Sequence, residues 1–106
     1  MSTPPLKTDP EGFLVSLDEW NQCVAQHIAQ SEGISLQDEH WDVINLVRDY
    51  YAVHRLFPPN RVLVKQMKLR LGESRGSSIH LMTLFTGKPA RVLAKISGLP
   101  KPPDCD

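Results

Sequence analysis

The 106-residue chain has a formal net charge of zero, a hydrophobic fraction of 41% and a charged fraction of 23%. These values suit one ordinary globular domain with one core, and the charge balance argues against broad electrostatic binding to nucleic acid. No apolar run approaches the roughly 20 residues of a membrane span, and two cysteines, Cys23 and Cys105, with no His/Cys cluster at ligand spacing argue against a structural zinc site.

Residues 1–15 are proline-rich, then briefly apolar. Met1-Ser2-Thr3-Pro4-Pro5 lacks the basic and apolar blocks of a secretory signal, so the expected compartment is the cytoplasm, where thiols stay reduced. Asp9-Pro10-Glu11-Gly12 is a turn signal between two short apolar stretches and reads as a small hairpin over 5–15. Ser16-Leu17-Asp18-Glu19 has the form of a capping box, which predicts a helix from Ser16 to about Ser31. Trp20, Val24, His27 and Ile28 would form its inner stripe, with Cys23 beside them as a small buried cysteine, and Gly33 its stop.

A second helix is predicted from the Ser35-Leu36-Gln37-Asp38 cap to near Leu56. Its stripe of Trp41, Ile44, Val47 and Tyr51 makes it the expected centre of the core. Pro58-Pro59 should end it and open a third helix over Asn60–Leu71, with Leu63, Val64, Met67 and Leu71 inward and Gly72 as its stop. A short apolar helix over Ile79–Phe85 and a last one from Pro89 to Ile96, closed by Gly98, complete the count. The predicted fold is all-α: a small orthogonal bundle of about five helices with a helix-turn-helix-like pair. Its divisions are a helical domain over residues 1–98 and a mobile C-terminal arm over 99–106.

The arm reads Leu99-Pro100-Lys101-Pro102-Pro103-Asp104-Cys105-Asp106. Its prolines fix φ, remove donors and push their predecessors towards extended geometry. Such a segment rises roughly 3.1 Å per residue, so Leu99 to Cys105 would span about 20 Å. Cys105 is therefore a candidate reactive thiol, set against the alternative of a frayed end with an incidental cysteine. Its acidic neighbours Asp104 and Asp106 disfavour thiolate, and nearby cations would restore it. Arg61, Lys65 and Lys68 form the densest basic stripe, either a solvated helix face or the place where the acidic tip or a partner docks. Lys101 is a further candidate contact. A third reading has Arg61, Lys65, Lys68 and Arg70 on the second helix of a DNA-binding pair, although its turn is built from prolines rather than a glycine bend. The four histidines form no HExxH, and no Walker loop, dinucleotide fingerprint or nucleophile elbow is present. No metal or cofactor is expected.

Several passages carry a family likeness: Asp9-Pro10-Glu11-Gly12-Phe13-Leu14, Glu32-Gly33-Ile34-Ser35-Leu36, His40-Trp41-Asp42-Val43-Ile44 and Val47-Arg48-Asp49-Tyr50-Tyr51. Arg61-Val62-Leu63-Val64-Lys65, Leu84-Phe85, and Lys95-Ile96-Ser97-Gly98-Leu99-Pro100-Lys101-Pro102 leading to the penultimate Cys105 continue it. On these the sequence resembles the DsrC/TusE family, nearest its TusE branch. The resemblance implies a small helical cytoplasmic sulfurtransferase, a carrier more than a catalyst, whose penultimate cysteine holds sulfane sulfur as a persulfide. It implies a TusBCD-like protein donor and an MnmA-like acceptor that thiolates tRNA wobble uridine, with no membrane and no direct nucleic-acid contact. The alternatives it leaves are a DsrC-like partner of dissimilatory sulfite reductase and a regulatory thiol-sensing paralogue. In DsrC-like members a second arm cysteine lies ten residues upstream; that position here is Lys95. The family's glutamine position is Val92, and Phe57 stands where a capping serine is usual.

Overall fold

The computed structural model describes residues 7–102. Among them are five α-helices: α1 (Gln22–Ser31), α2 (Asp38–His54), α3 (Asn60–Leu71), α4 (Ser78–Phe85) and α5 (Pro89–Ile96). Single 3-10 turns lie at Leu17–Glu19 and Glu73–Arg75. The all-α reading holds. The N-terminal hairpin does not form as two strands: an isolated antiparallel bridge pairs Thr8 with Leu14. The Asp9 carboxylate draws the intervening loop tight by accepting from Glu11 N–H and Phe13 N–H, an Asx turn flanked by two backbone bonds, Asp9 N–H to Phe13 O and Val15 N–H to Lys7 O.

The predicted Ser16 capping box is also absent, because Ser16 makes no side-chain cap and Leu17–Glu19 is only a 3-10 turn. The cap of helix α1 lies five residues later than expected, where the Asn21 side-chain carbonyl accepts from Val24 N–H at 2.9 Å. The inner face consists of Val24, Ala25, Ile28 and Ala29. Cys23 and His27, expected inside, are exposed.

Helix α2 is the long central element, burying His40, Val43, Ile44, Leu46 and Val47. At its start His40 Nδ1 accepts from Gln37 N–H at 3.0 Å, while His40 Nε2 sits 2.9 Å from the carbonyl of Leu84. The imidazole is thus a structural pin between α2 and α4, packed edge-on against Phe85. The helix ends two residues before Leu56, with Arg55 in the left-handed region at φ 59°. Pro59 caps α3, and Phe57 and Pro58 are buried core residues. Helices α3 and α5 occupy the spans predicted from their flanking prolines and glycines. α5 packs against α1, α2 and α4, and α2 against α3, around Phe85, Ile44, Leu46, Leu63, Met67, Leu81, Leu93 and Ile96.

Candidate functional site

The last helix hands the chain to its C-terminal segment through a tightly specified exit. Pro89 opens α5 at its first turn, and Val92, Leu93, Ala94 and Ile96 bury its inner face. Beyond Ser97, Gly98 turns left-handed at φ 70°. Gly98 N–H then donates to the Lys95 carbonyl and Leu99 N–H to the Ala94 carbonyl, the pair of bonds of a Schellman ending.

Two carbonyls left over at this helix end are taken by side chains from distant elements. Trp20 Nε1 donates to Ile96 O at 2.8 Å, and an Arg48 amino group to Ser97 O at 2.6 Å. The Arg48 guanidinium also lies 3.8 Å from the Trp20 ring centroid. It combines a cation–π contact with a favourable charge at the negative end of the α5 dipole. Burial lowers the pKa of Arg48 from its ordinary value, yet an arginine stays protonated. Gly98 lies against the same indole: a Cβ there would meet Trp20 Cδ1 at 2.3 Å. Ser97 is fully buried, and its hydroxyl has no hydrogen-bond partner among the described residues.

The next turn outward is ionic. Glu11, on the tip of the Asx turn, faces Lys101 at 2.9 Å and Arg91 at 3.2 Å. Lys95 pairs with Glu32 at 3.2 Å and lies over the Phe13 ring. Leu99 and Pro102 are buried, so the first residues of the predicted arm pack on the helical body.

The family described as DsrC like protein matches residues 1–105 of this chain. The chain belongs to the DsrC-like family. Sulfurtransferase TusE of Escherichia coli K12 is 45% identical over 100 residues, covering 94% of this chain and 92% of the relative. The fold agrees as closely. The NMR structure of DsrC from Allochromatium vinosum superposes with a TM-score of 0.84 at 39% identity, covering 93% of this chain and 88% of that one. The crystal structure of the oxidized gamma-subunit of the dissimilatory sulfite reductase (DsrC) from Archaeoglobus fulgidus gives 0.85 at 35% identity, covering 95% and 92%.

Within this DsrC-like fold the sequence-predicted site residues fall in two places. Lys101 is at the exit, on Glu11. Arg61 and Lys65 are on α3, where with Lys68, Asn60, Val64 and Ser78 they line a shallow open depression. None of the three cations has an ion pair among the described residues, whereas Arg70 is held by Asp49 of α2 at 3.1 Å. The side chains bonded to residues 96–101 come from the N-terminal turn, Trp20 and α2, none from α3. Cys105 lies outside the described residues. Reasoning from sequence missed Trp20, Arg48 and Glu11 as parts of the exit. Trp20 reads as one more apolar helix residue, and nothing local marks Arg48 off from other surface arginines. Among the described residues no group of three metal-binding side chains comes together, and no helix is long and apolar enough to cross a membrane.

Proposed function

We propose that the protein is a cytoplasmic sulfur-relay carrier that accepts sulfane sulfur on Cys105 and delivers it to a second protein, in the service of tRNA wobble-uridine thiolation. The reading is supported by 45% identity to sulfurtransferase TusE over 94% of the chain. The observation that carries it in this molecule is the exit: Trp20 and Arg48 bond the backbone of Ile96 and Ser97, and Glu11 pairs with the Lys101 side chain, immediately before the Pro102-Pro103-Asp104-Cys105 run. An incidental tail needs no such mounting. On this reading residues 99–106 act as an arm whose fixed root presents a mobile thiol.

The chemistry is two thiol exchanges. The Cys105 thiolate attacks the outer sulfur of a donor persulfide; the S–S bond breaks and the donor cysteine leaves as thiolate. The acceptor thiolate then attacks the outer sulfur of Cys105–S–SH, and Cys105 leaves as thiolate. One sulfur atom moves at each step with no net oxidation, and the Cys105 sulfur serves as nucleophile in the first step and leaving group in the second. The donor would be a TusBCD-like complex and the acceptor an MnmA-like enzyme. Lys95 occupies the place of the second arm cysteine and is committed to Glu32, so the relay runs on a single arm thiol.

Incubation with a persulfide donor followed by intact mass spectrometry tests the reading. Wild type and Cys23→Ser should each gain one sulfur atom and Cys105→Ser none. Uptake that persists in Cys105→Ser overturns it.

A further inference from the structure

Helix α3 carries charge that the fold does not use. Arg48, Arg70, Arg75, Lys95 and Lys101 each bond an acid or a carbonyl. Arg61, Lys65 and Lys68 are exposed and have no ion pair among the described residues. At i, i+4 and i+7 they share one face and repel one another, a small cost to the free protein. Gly76 packs on the third of them: a Cβ there would meet Lys68 Cα at 2.6 Å. The base of the Lys68 side chain is thereby held while the residue stays exposed, so less freedom is lost when an anion arrives. The row borders a shallow groove lined also by Val64 and, from α4, by Ser78. Met82 lies one turn beyond Ser78 on the same side of α4, with Ile79 as its i−3 neighbour. These two side chains are 49% and 78% exposed. One exposed aliphatic residue is ordinary. Two neighbours beside three unpaired cations make a surface with two needs, anions in a row and apolar cover.

We propose that the α3–α4 face docks an acidic amphipathic helix of another protein, whose carboxylates pair with Arg61, Lys65 and Lys68 and whose apolar stripe covers Ile79 and Met82. Charge and spacing argue for this occupant. Arg61 to Lys68 spans about 10 Å along α3, so carboxylates at the same spacing on a facing helix meet all three cations. A groove between two helices suits a third laid along it. A nucleic-acid backbone would use the cations and leave Ile79 and Met82 without apolar cover. No α3 side chain bonds residues 96–101, so docking here leaves the exit as it is. The inference stands whether or not Cys105 carries sulfur.

The probe is a synthetic helical peptide of about 15 residues, with Glu at i, i+4 and i+7 and Leu along the adjoining stripe, titrated into the full chain labelled with nitrogen-15. Amide shifts should fall on residues 60–69 and 77–83, and binding should weaken with salt. Lys65→Glu should weaken it about five- to tenfold, because an attraction becomes a repulsion. Lys7→Glu makes the same change of net charge at another exposed lysine and should alter binding by less than about twofold. Met82→Ser should weaken it about threefold or more through lost apolar cover. Shifts elsewhere, a scrambled peptide that binds equally, or Lys65→Glu without effect overturn the proposal. So does an RNA duplex of equal charge that binds more tightly than the peptide and is indifferent to Met82→Ser, the behaviour of a phosphate site. Self-association of the unliganded chain that Lys65→Glu abolishes in sedimentation also overturns it, since a second copy would then fill the groove.

Discussion

Gly98 shows how narrowly single residues define the exit. Its φ of 70° is ordinary for glycine and strained for any other residue, and its hydrogen-only side chain leaves room for the Trp20 indole. Alanine at this position meets both penalties at once, since the ring is itself pinned to Ile96 O. Gly98→Ala should cost about 2–3 kcal/mol in denaturant unfolding, and a loss under half of that would mean the indole moves aside freely. The glycine is legible in the sequence as a helix stop. The reason it must be glycine is not, because its neighbour, Trp20, lies far away along the chain. Cys105 has the opposite character. Its position among prolines and acids marks it without any structure, whereas Cys23, read as buried, proves exposed because the buried face of α1 is centred on Val24, Ala25, Ile28 and Ala29.

At the level of elements, boundaries were legible wherever proline and glycine bracket a periodic stretch. Pro59 and Gly72 delimit α3, and Pro89 and Gly98 delimit α5, each by removing donors or allowing left-handed backbone. α1 has no such bracket at its start. Ser16 and Asn21 both have capping chemistry, and only Asn21 uses it. Asn21→Ala should therefore lower stability by about 1 kcal/mol and Ser16→Ala should leave it nearly unchanged, a contrast that thermal melts followed by circular dichroism will resolve. Equal effects would return the helix start to Ser16. The N-terminal turn is the other partial success. The turn signal at Asp9–Gly12 is real, but Asp9 spends its carboxylate on local amides and one bridge takes the place of a hairpin.

Over the whole molecule, stability and the exit share one core. α5 is the element that meets α1, α2 and α4, and its Leu93 is fully buried. Truncating it in Leu93→Ala should remove about 2–5 kcal/mol. Backbone amides of residues 96–99 should also lose hydrogen-exchange protection together with the centre of α5; protection that survives at the exit would show that its side-chain fastenings hold without the core. The bundle itself was legible from stripes of apolar residues at helical spacing. Its assembly was not, since contacts such as Arg48 with Ser97 join segments that share no local pattern. The basic α3 stripe illustrates the same limit: its cations are as predicted, but the chain sets them beside Ser78 and not beside Lys101.

The position of Trp20 has a practical consequence. Its indole touches Gly98, bonds to Ile96 O and lies under the Arg48 guanidinium, and the chain's second tryptophan, Trp41, sits on α2. With Trp41 replaced by phenylalanine, tryptophan emission, excited selectively over Tyr50 and Tyr51, would come from one indole built into the mount. The state of the C-terminal root could then be followed optically in real time, with no dye attached to the thiol whose chemistry is in question.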